Sequence, residues 1–251
     1  MTLDQVIEYF NKIIAEGEIY RFVARSSKLQ IEQCRKLDVL QYNARQIKLD
    51  AIDRADEDLA NLFLGYVCVI GSLRSELLMY IELKRDRPQS AWDQLIASQM
   101  GCADAIRAHG GFAHCQQRLD DLEALETTLF PPQVFMSAGF IAERLDCSIC
   151  GDRYSDCEHL RGRPYMGRFC EVIHRNPQGD HAAIVDRPAD KRCRLLSFKT
   201  KDGHQNKLSW EKTPFKDDEH FDEDGPLETH SILMVFERYP YLKSTSEVLE
   251  A

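Results

Sequence analysis

No proline precedes Pro88 in this 251-residue chain, so nothing in its first third obliges a helix to break. Long apolar runs are missing as well. No stretch approaches the roughly 20 apolar residues that span a bilayer. The opening MTLDQVIEYFNKII is acidic and amphipathic where a secretory signal is basic and then continuously apolar. Together these absences point to a cytoplasmic protein with no membrane partner. The sequence also has no Walker lysine loop, no dinucleotide glycine fingerprint and no internal repeat, which excludes the common nucleotide-binding and solenoid readings. The H-x-E…P-C-x-x-C signature of the zinc deaminases is absent. The acidic run DDEHFDED at 217–224 lacks the alternating ligand spacing and central glycine of a calcium loop, and reads as a solvated acidic loop.

What is present is unevenly distributed. The 32 basic and 41 acidic side chains give a net charge of −9. Residues 1–146 carry 16 basic and 22 acidic groups, residues 147–201 carry 11 and 7, and residues 202–251 carry 5 and 12. Only the middle segment has the electrostatic sign that attracts nucleic acid, so nucleic acid is not the expected partner of the whole chain. Nine cysteines are an odd number for a disulfide framework. Four are scattered through helical segments and the rest crowd around one motif, which suits reduced thiols with a single metal cluster.

The first half reads as helix. Leu3, Val6, Ile7, Phe10, Ile13 and Ile14 follow the i, i+3, i+4, i+7 pattern, with Thr2 and Gln5 spaced as a capping box. From Ala55 onward a second apolar stripe runs from Leu59 to Ile81 through Gly65 and Gly71, and the two long helices are expected to pack antiparallel. A third helix begins near Ser90 and stops at Gly110-Gly111, and a fourth carries Leu119, Leu122 and Leu125 before Pro131-Pro132. Residues 1–130 are therefore expected to form a bundle of four or five helices. His109 and His114, which flank the double glycine, have no cysteine or carboxylate at motif spacing and read as polar residues at a helix end.

After Pro132 the texture becomes β-rich. QVFMSAGFIAERL, GDHAAIVDRPA, RCRLLSFKT and SILMVFERY are strand-like, so residues 131–251 are expected to form a small α+β domain. Within it lies CSICGDRYSDCEH, three cysteines and a histidine in the thirteen positions 147–159. Cys147-x2-Cys150-Gly151 has the form of a zinc knuckle, in which glycine lets the backbone fold under the metal and point amides at sulfur. Cys157-x-His159 supplies the second pair. A complete Cys3His set leaves no position for a reactive water, so the expected cofactor is a structural Zn2+. Cys170 and His174 are spare donors, either of which could replace His159. Glu158, between two ligands, reads as solvated. Arg161, Arg163 and Arg168 interleaved with Tyr165 could grip phosphates and stack bases, but read better as the solvated rim of the zinc loop.

The order FMSAGF, CSICGDRYSDCEHLRGRPYMGRFC, EVIHRNPQGDHAAIVDRPADKRCRL resembles zinc-containing proteins of tailed phages and prophages. These in turn are similar to the tailed-phage prohead protease family. Ser137-Ala138-Gly139-Phe140 matches that family's Ser-x-Gly-Phe strand, and Ala182 to Ala189 matches its strand ending in Val-Asp-x-Pro-Ala, with the zinc motif inserted between them. The resemblance implies a serine protease of the herpesvirus-assemblin type with Ser137 as nucleophile. The family takes its base from a histidine on an upstream barrel strand, whereas the residues before Ser137 here read as helix ending at Pro131-Pro132. Ser137 is thus expected to be an ordinary strand serine. The expectation is a non-catalytic interaction or scaffold protein, phage- or defence-linked, that binds a protein partner or a second copy of itself as a homodimer. The two alternatives are a Ser137 protease and nucleic-acid binding through the basic loop.

Overall fold

The computed structural model describes residues 2–216 and 218–250. In chain order, the helices α1 (Leu3–Glu18), α2 (Ser27–Asp53), α3 (Glu57–Lys84), α4 (Pro88–Ala108) and α5 (Cys115–Leu129) come first. They are followed by β1 (Phe135–Ile141), β2 (Arg144–Cys147), β3 (Pro164–Tyr165), β4 (Arg168–Phe169), β5 (Val172–Arg175), β6 (Gln178–Val185), β7 (Leu195–Thr200), β8 (Gly203–Asn206), β9 (Lys212–Thr213) and β10 (Thr229–Ser231), and by a short α6 (Thr245–Leu249). The protein is α+β, with an N-terminal helical region ahead of a strand-rich part. Its contacts divide the chain into two units, but not at residue 130. One comprises residues 1–124, 143–176 and 239–251, and the other residues 125–142 and 177–238. The cysteine motif, together with β2 to β5, thus belongs with the helices, and β1 and β6 belong with the second unit.

In the helical unit, α1 starts on the capping box read from the sequence: the Gln5 amide donates to Thr2 Oγ1 and the Thr2 amide to Gln5 Oε1. α3 is the central helix. Contrary to the sequence expectation that no stretch approaches a bilayer span, α3 is long and apolar enough by composition to cross one, and 94% of its most apolar window is buried by its neighbours. α2 is polar on average yet buries Cys34, Leu37, Leu40 and Ala44 against α3, an apolar stripe too diluted by charge for periodicity to reveal.

Burying α3 on all sides also buries its polar residues, and each of these must find a partner. Arg74 donates to Asp38 and Gln41 on α2 and to the carbonyl of Tyr241 (2.7 Å). Glu76 accepts from Arg21 and Arg118, each at 2.9 Å. The Tyr241 phenol donates to Asp104 of α4 at 2.6 Å. The C-terminal segment 239–251 is tied into the bundle in this way, and it passes so close to Gly71 that an added Cβ would collide with the Tyr241 carbonyl and the Gln41 amide.

In the second unit, β1 and β6 form an antiparallel ribbon, and a four-stranded sheet runs in the order β10-β7-β8-β9. One strand is much shorter than expected. SILMVFERY gives only the end of β10: the register shifts at a bulge between His230 and Ser231, and Ser231 opposite Leu195, the first residue of β7, is the last pair. Beyond Ile232, whose amide still reaches the Arg194 carbonyl, the chain leaves the sheet and Phe236 is 87% exposed.

Replacing Gly71 with valine overpacks the contact with Tyr241 and Gln41, and is expected to cost about 1–3 kcal/mol. Gly110→Ala, at a position with no neighbour within 4 Å, should change stability by less than about 0.5 kcal/mol. Urea midpoints of the two variants check the contrast.

Candidate metal centre

β2 carries the chain to Cys147, and the turn that follows is built from backbone bonds. The Gly151 amide donates to the Cys147 carbonyl (2.9 Å) and the Cys147 amide to the Asp152 carbonyl (2.8 Å). The turn requires φ +80° at Gly151, a left-handed conformation that costs glycine little. The Ile149 amide points at Cys147 Sγ at 3.4 Å, the amide-to-sulfur bond expected of a knuckle. A 3-10 turn, Tyr154–Asp156, brings Cys157 back towards this pair. His159 follows, its ring edge-on to Tyr165 with centroids 4.6 Å apart. The phenols of Tyr165 and Tyr154 accept the amides of Leu160 and Arg161, each at 3.0 Å, so both rings brace the segment that carries the histidine.

Four donor atoms, the sulfurs of Cys147, Cys150 and Cys157 and one ring nitrogen of His159, lie within 4.8 Å of one another. A tetrahedral ion with metal–sulfur bonds of about 2.3 Å has donor separations of about 3.8 Å, so small adjustments close the shell. Nδ1 of His159 is buried with no hydrogen-bond partner, which is costly unless a metal takes its lone pair. These residues can hold a metal ion.

Cys147 is the cysteine of the cluster whose thiol is shifted down. Burial opposes its ionisation, but the amides of Cys150 and Ile149 and the thiols of Cys170 and Cys150 hold its pKa down at about 6. For Cys150 the Asp152 amide acts to lower the value, but burial and the neighbouring Cys147 sulfur outweigh it and push it up to about 11. Cys170 is raised to about 12, by burial first and then by Cys147. The base of the knuckle is stapled by Asp146, which receives Arg175 at 2.7 Å and also pairs with Arg144. Arg175 first, then Arg144, hold its carboxyl below the usual range against the cost of burial. β5 pairs with β2 in register Arg144↔Arg175 to Cys147↔Val172, so this ion cluster sits directly beneath the first ligand.

No family model, no curated protein and no solved structure matches this chain.

The spare donors differ in position. Cys170 Sγ lies 3.7 Å from Cys147 Sγ and borders the group of four. His174 is exposed on β5 opposite Leu145, outside the group. Glu158 is exposed. Arg161, Arg163 and Arg168 are exposed, while Tyr165 is committed to His159 and Leu160. Ser137 pairs with Ala183 on the β1–β6 ribbon, and among the described residues no histidine hydrogen-bonds to it. His181 is two pairs along, opposite Gly139. Its ring lies across the space a side chain at Gly139 would need, and it bonds to Asp180 at 2.9 Å. His109 accepts the Gly111 amide at 3.0 Å, and His114 sits 3.1 Å from the Gly111 carbonyl and 3.7 Å from Cys115 Sγ. Asp217 of the acidic run lies outside the described residues. Within the rest of that run, Glu219 pairs with His204 and Glu223 with Lys201.

Sequence reasoning missed the seat of the motif. β3 and β4 form a hairpin whose two turn residues, Met166 (φ 44°) and Gly167 (φ 70°), are both left-handed, as a tight two-residue hairpin turn demands. Their amides donate to Glu57 and Asn61 of α3, and Lys48 of α2 donates to the Gly167 carbonyl at 3.1 Å. Gly167 is the one local signal of that turn, which the sequence reading passed over; the receptor, more than 100 residues upstream, leaves none.

Cobalt(II) loaded into the purified protein should give the absorption of a tetrahedral site with three thiolates. Cys157→Ser and His159→Ala should each abolish that spectrum, while Cys170→Ser and His174→Ala should keep it. Visible spectroscopy of the four variants checks which residue completes the shell.

Proposed function

We propose that the protein is a non-catalytic interaction protein whose Cys147, Cys150, Cys157 and His159 hold one structural zinc ion. The observation that carries this reading is the donor set: three sulfurs and an imidazole nitrogen, contributed by one short segment, lie within 4.8 Å of one another, enough to fill a tetrahedral shell without a water ligand. Zinc fits such a soft and borderline set better than magnesium or calcium, which take oxygen ligands. A structural zinc supplies folding free energy, on the order of 10 kcal/mol in isolated fingers, to a segment with few apolar side chains of its own.

The interaction part of the reading is supported by the outer face of α2. Val39 and Tyr42 are each 61% exposed, and Leu49 continues their line one helical repeat further on. A second copy of the chain, packed there as a homodimer, is the partner proposed, in a cytoplasmic, phage- or defence-linked setting. Hydrolysis by Ser137 is not adopted, because a serine hydroxyl with no base in contact is a poor nucleophile at neutral pH.

Elemental analysis of protein purified without chelators should return about one zinc per chain, and Cys147→Ser should lose it along with the thermal stability of the helical unit. Protein free of metal and equally stable would sink the structural assignment. Sedimentation at micromolar concentration should show a dimer that Val39→Asp, Tyr42→Asp dissociates. Ser137→Ala should keep full zinc content and full self-association, and wild-type protein should not react with a fluorophosphonate. Labelling at Ser137 would replace this reading with the protease.

A further inference from the structure

The helical unit contains a cavity of about 360 Å³ that the metal centre does not use. Its inner surface is apolar, with Leu64 and Val67 of α3 and Phe169 of β4 forming the floor. All three are buried from solvent apart from the cavity itself. One wall is the backbone and side chains of Ser148 and Ile149, the two residues between the first pair of cysteines. The C-terminal segment, held against the bundle by Arg74, adds Tyr239 and Tyr241 to the lining.

The polar groups at this cavity are mostly of one sign. Arg45, Lys48 and Arg168 line it, against the single carboxylate of Glu171, a local charge of +2 on a chain whose net charge is −9. Glu171 is engaged by the Tyr239 phenol at 2.6 Å. Among the described residues Lys48 spends one donor, on the Gly167 carbonyl, and Arg45 spends only Nη2, on Gln41 and Leu242. An ammonium has three donors and a guanidinium five, so both retain donors able to face an incoming group. Burial disfavours the charged form of Lys48 and lowers its pKa, a cost that an anion in the cavity would offset. An apolar pocket of a few hundred Å³ with a small number of convergent polar groups is the usual form of a small-molecule site.

We infer that this cavity is a binding site for a small organic anion, an aromatic or aliphatic body seated on Leu64, Val67 and Phe169 with one acidic group held by Lys48 and Arg45. The site does not depend on which metal the adjacent cluster holds. Electrostatic attraction selects the acidic group, and the apolar floor selects the body, so neither inorganic phosphate nor a neutral hydrocarbon satisfies both halves.

The test uses the full-length, metal-loaded protein and a matched pair of fluorescent probes. One is 8-anilinonaphthalene-1-sulfonate, and the other is N-phenyl-1-naphthylamine, the same ring system without the sulfonate. The sulfonate should bind saturably at one site per chain, at least tenfold more tightly than the neutral probe. Lys48→Met, which keeps the stem and removes the charge, should erase most of that preference. Val67→Phe should fill the floor and weaken both probes by tenfold or more. Ile149→Trp, at the half-buried wall, is the alternative filling variant if Val67→Phe does not fold. Equal affinity for the two probes, an unchanged preference in Lys48→Met, or binding that never saturates would each overturn the inference.

Discussion

A charged group inside the bundle is the constraint on which the rest of the structure depends. Arg74 lies in the middle of α3 and is 1% exposed, so its guanidinium has to be satisfied within the protein. Asp38 and Gln41 of α2 accept from Nη1 and the Tyr241 carbonyl from Nη2, while Nε is buried without a hydrogen-bond partner. Removing one partner of such a buried pair typically costs about 3–5 kcal/mol, because the charge that remains is unpaired. That penalty ties a segment from the far end of the chain to the core helix. Glu76, two residues along α3, gathers Arg21 and Arg118 in the same manner, so helices with modest apolar stripes are fixed in register by ions.

The metal-binding segment inherits this arrangement. Its hairpin turn is clamped by Glu57, Asn61 and Lys48, and Phe169 at the end of that hairpin is part of the helical core. The knuckle is therefore seated on α2 and α3, and the C-terminal segment held by Arg74 closes the other side of the space between them. The cavity, with its apolar floor and basic rim, is a consequence of three pieces meeting where none alone fills the volume.

Legibility followed chain distance. The capping box at Thr2 and Gln5, the apolar stripe of α3 and the glycine-turned knuckle all depend on neighbours within a few residues, and each was readable. α2 was not, since its buried residues are separated by charged ones and its core face is recognisable only against α3. SILMVFERY misled because β-propensity describes what a segment tolerates, while the extent of β7, which begins at Leu195 opposite Ser231, decides where pairing ends. Asp146 gave no signal at all: its role requires Arg175 on the paired strand.

The amino-acid sequence by itself determined the start of α1, the α+β order and the candidate donors at 147, 150 and 157, with His159, Cys170 or His174 as the fourth, because capping, turn geometry and ligand spacing are local. Only the tertiary structure decided that the donors fold with the helices and that Cys170 borders the cluster while His174 stands apart from it. It also decided that Arg45, Lys48 and Tyr241 face a common space. These outcomes rest on pairings between residues separated by up to some 200 positions, and such pairings are chosen by burial and charge satisfaction after the local elements exist.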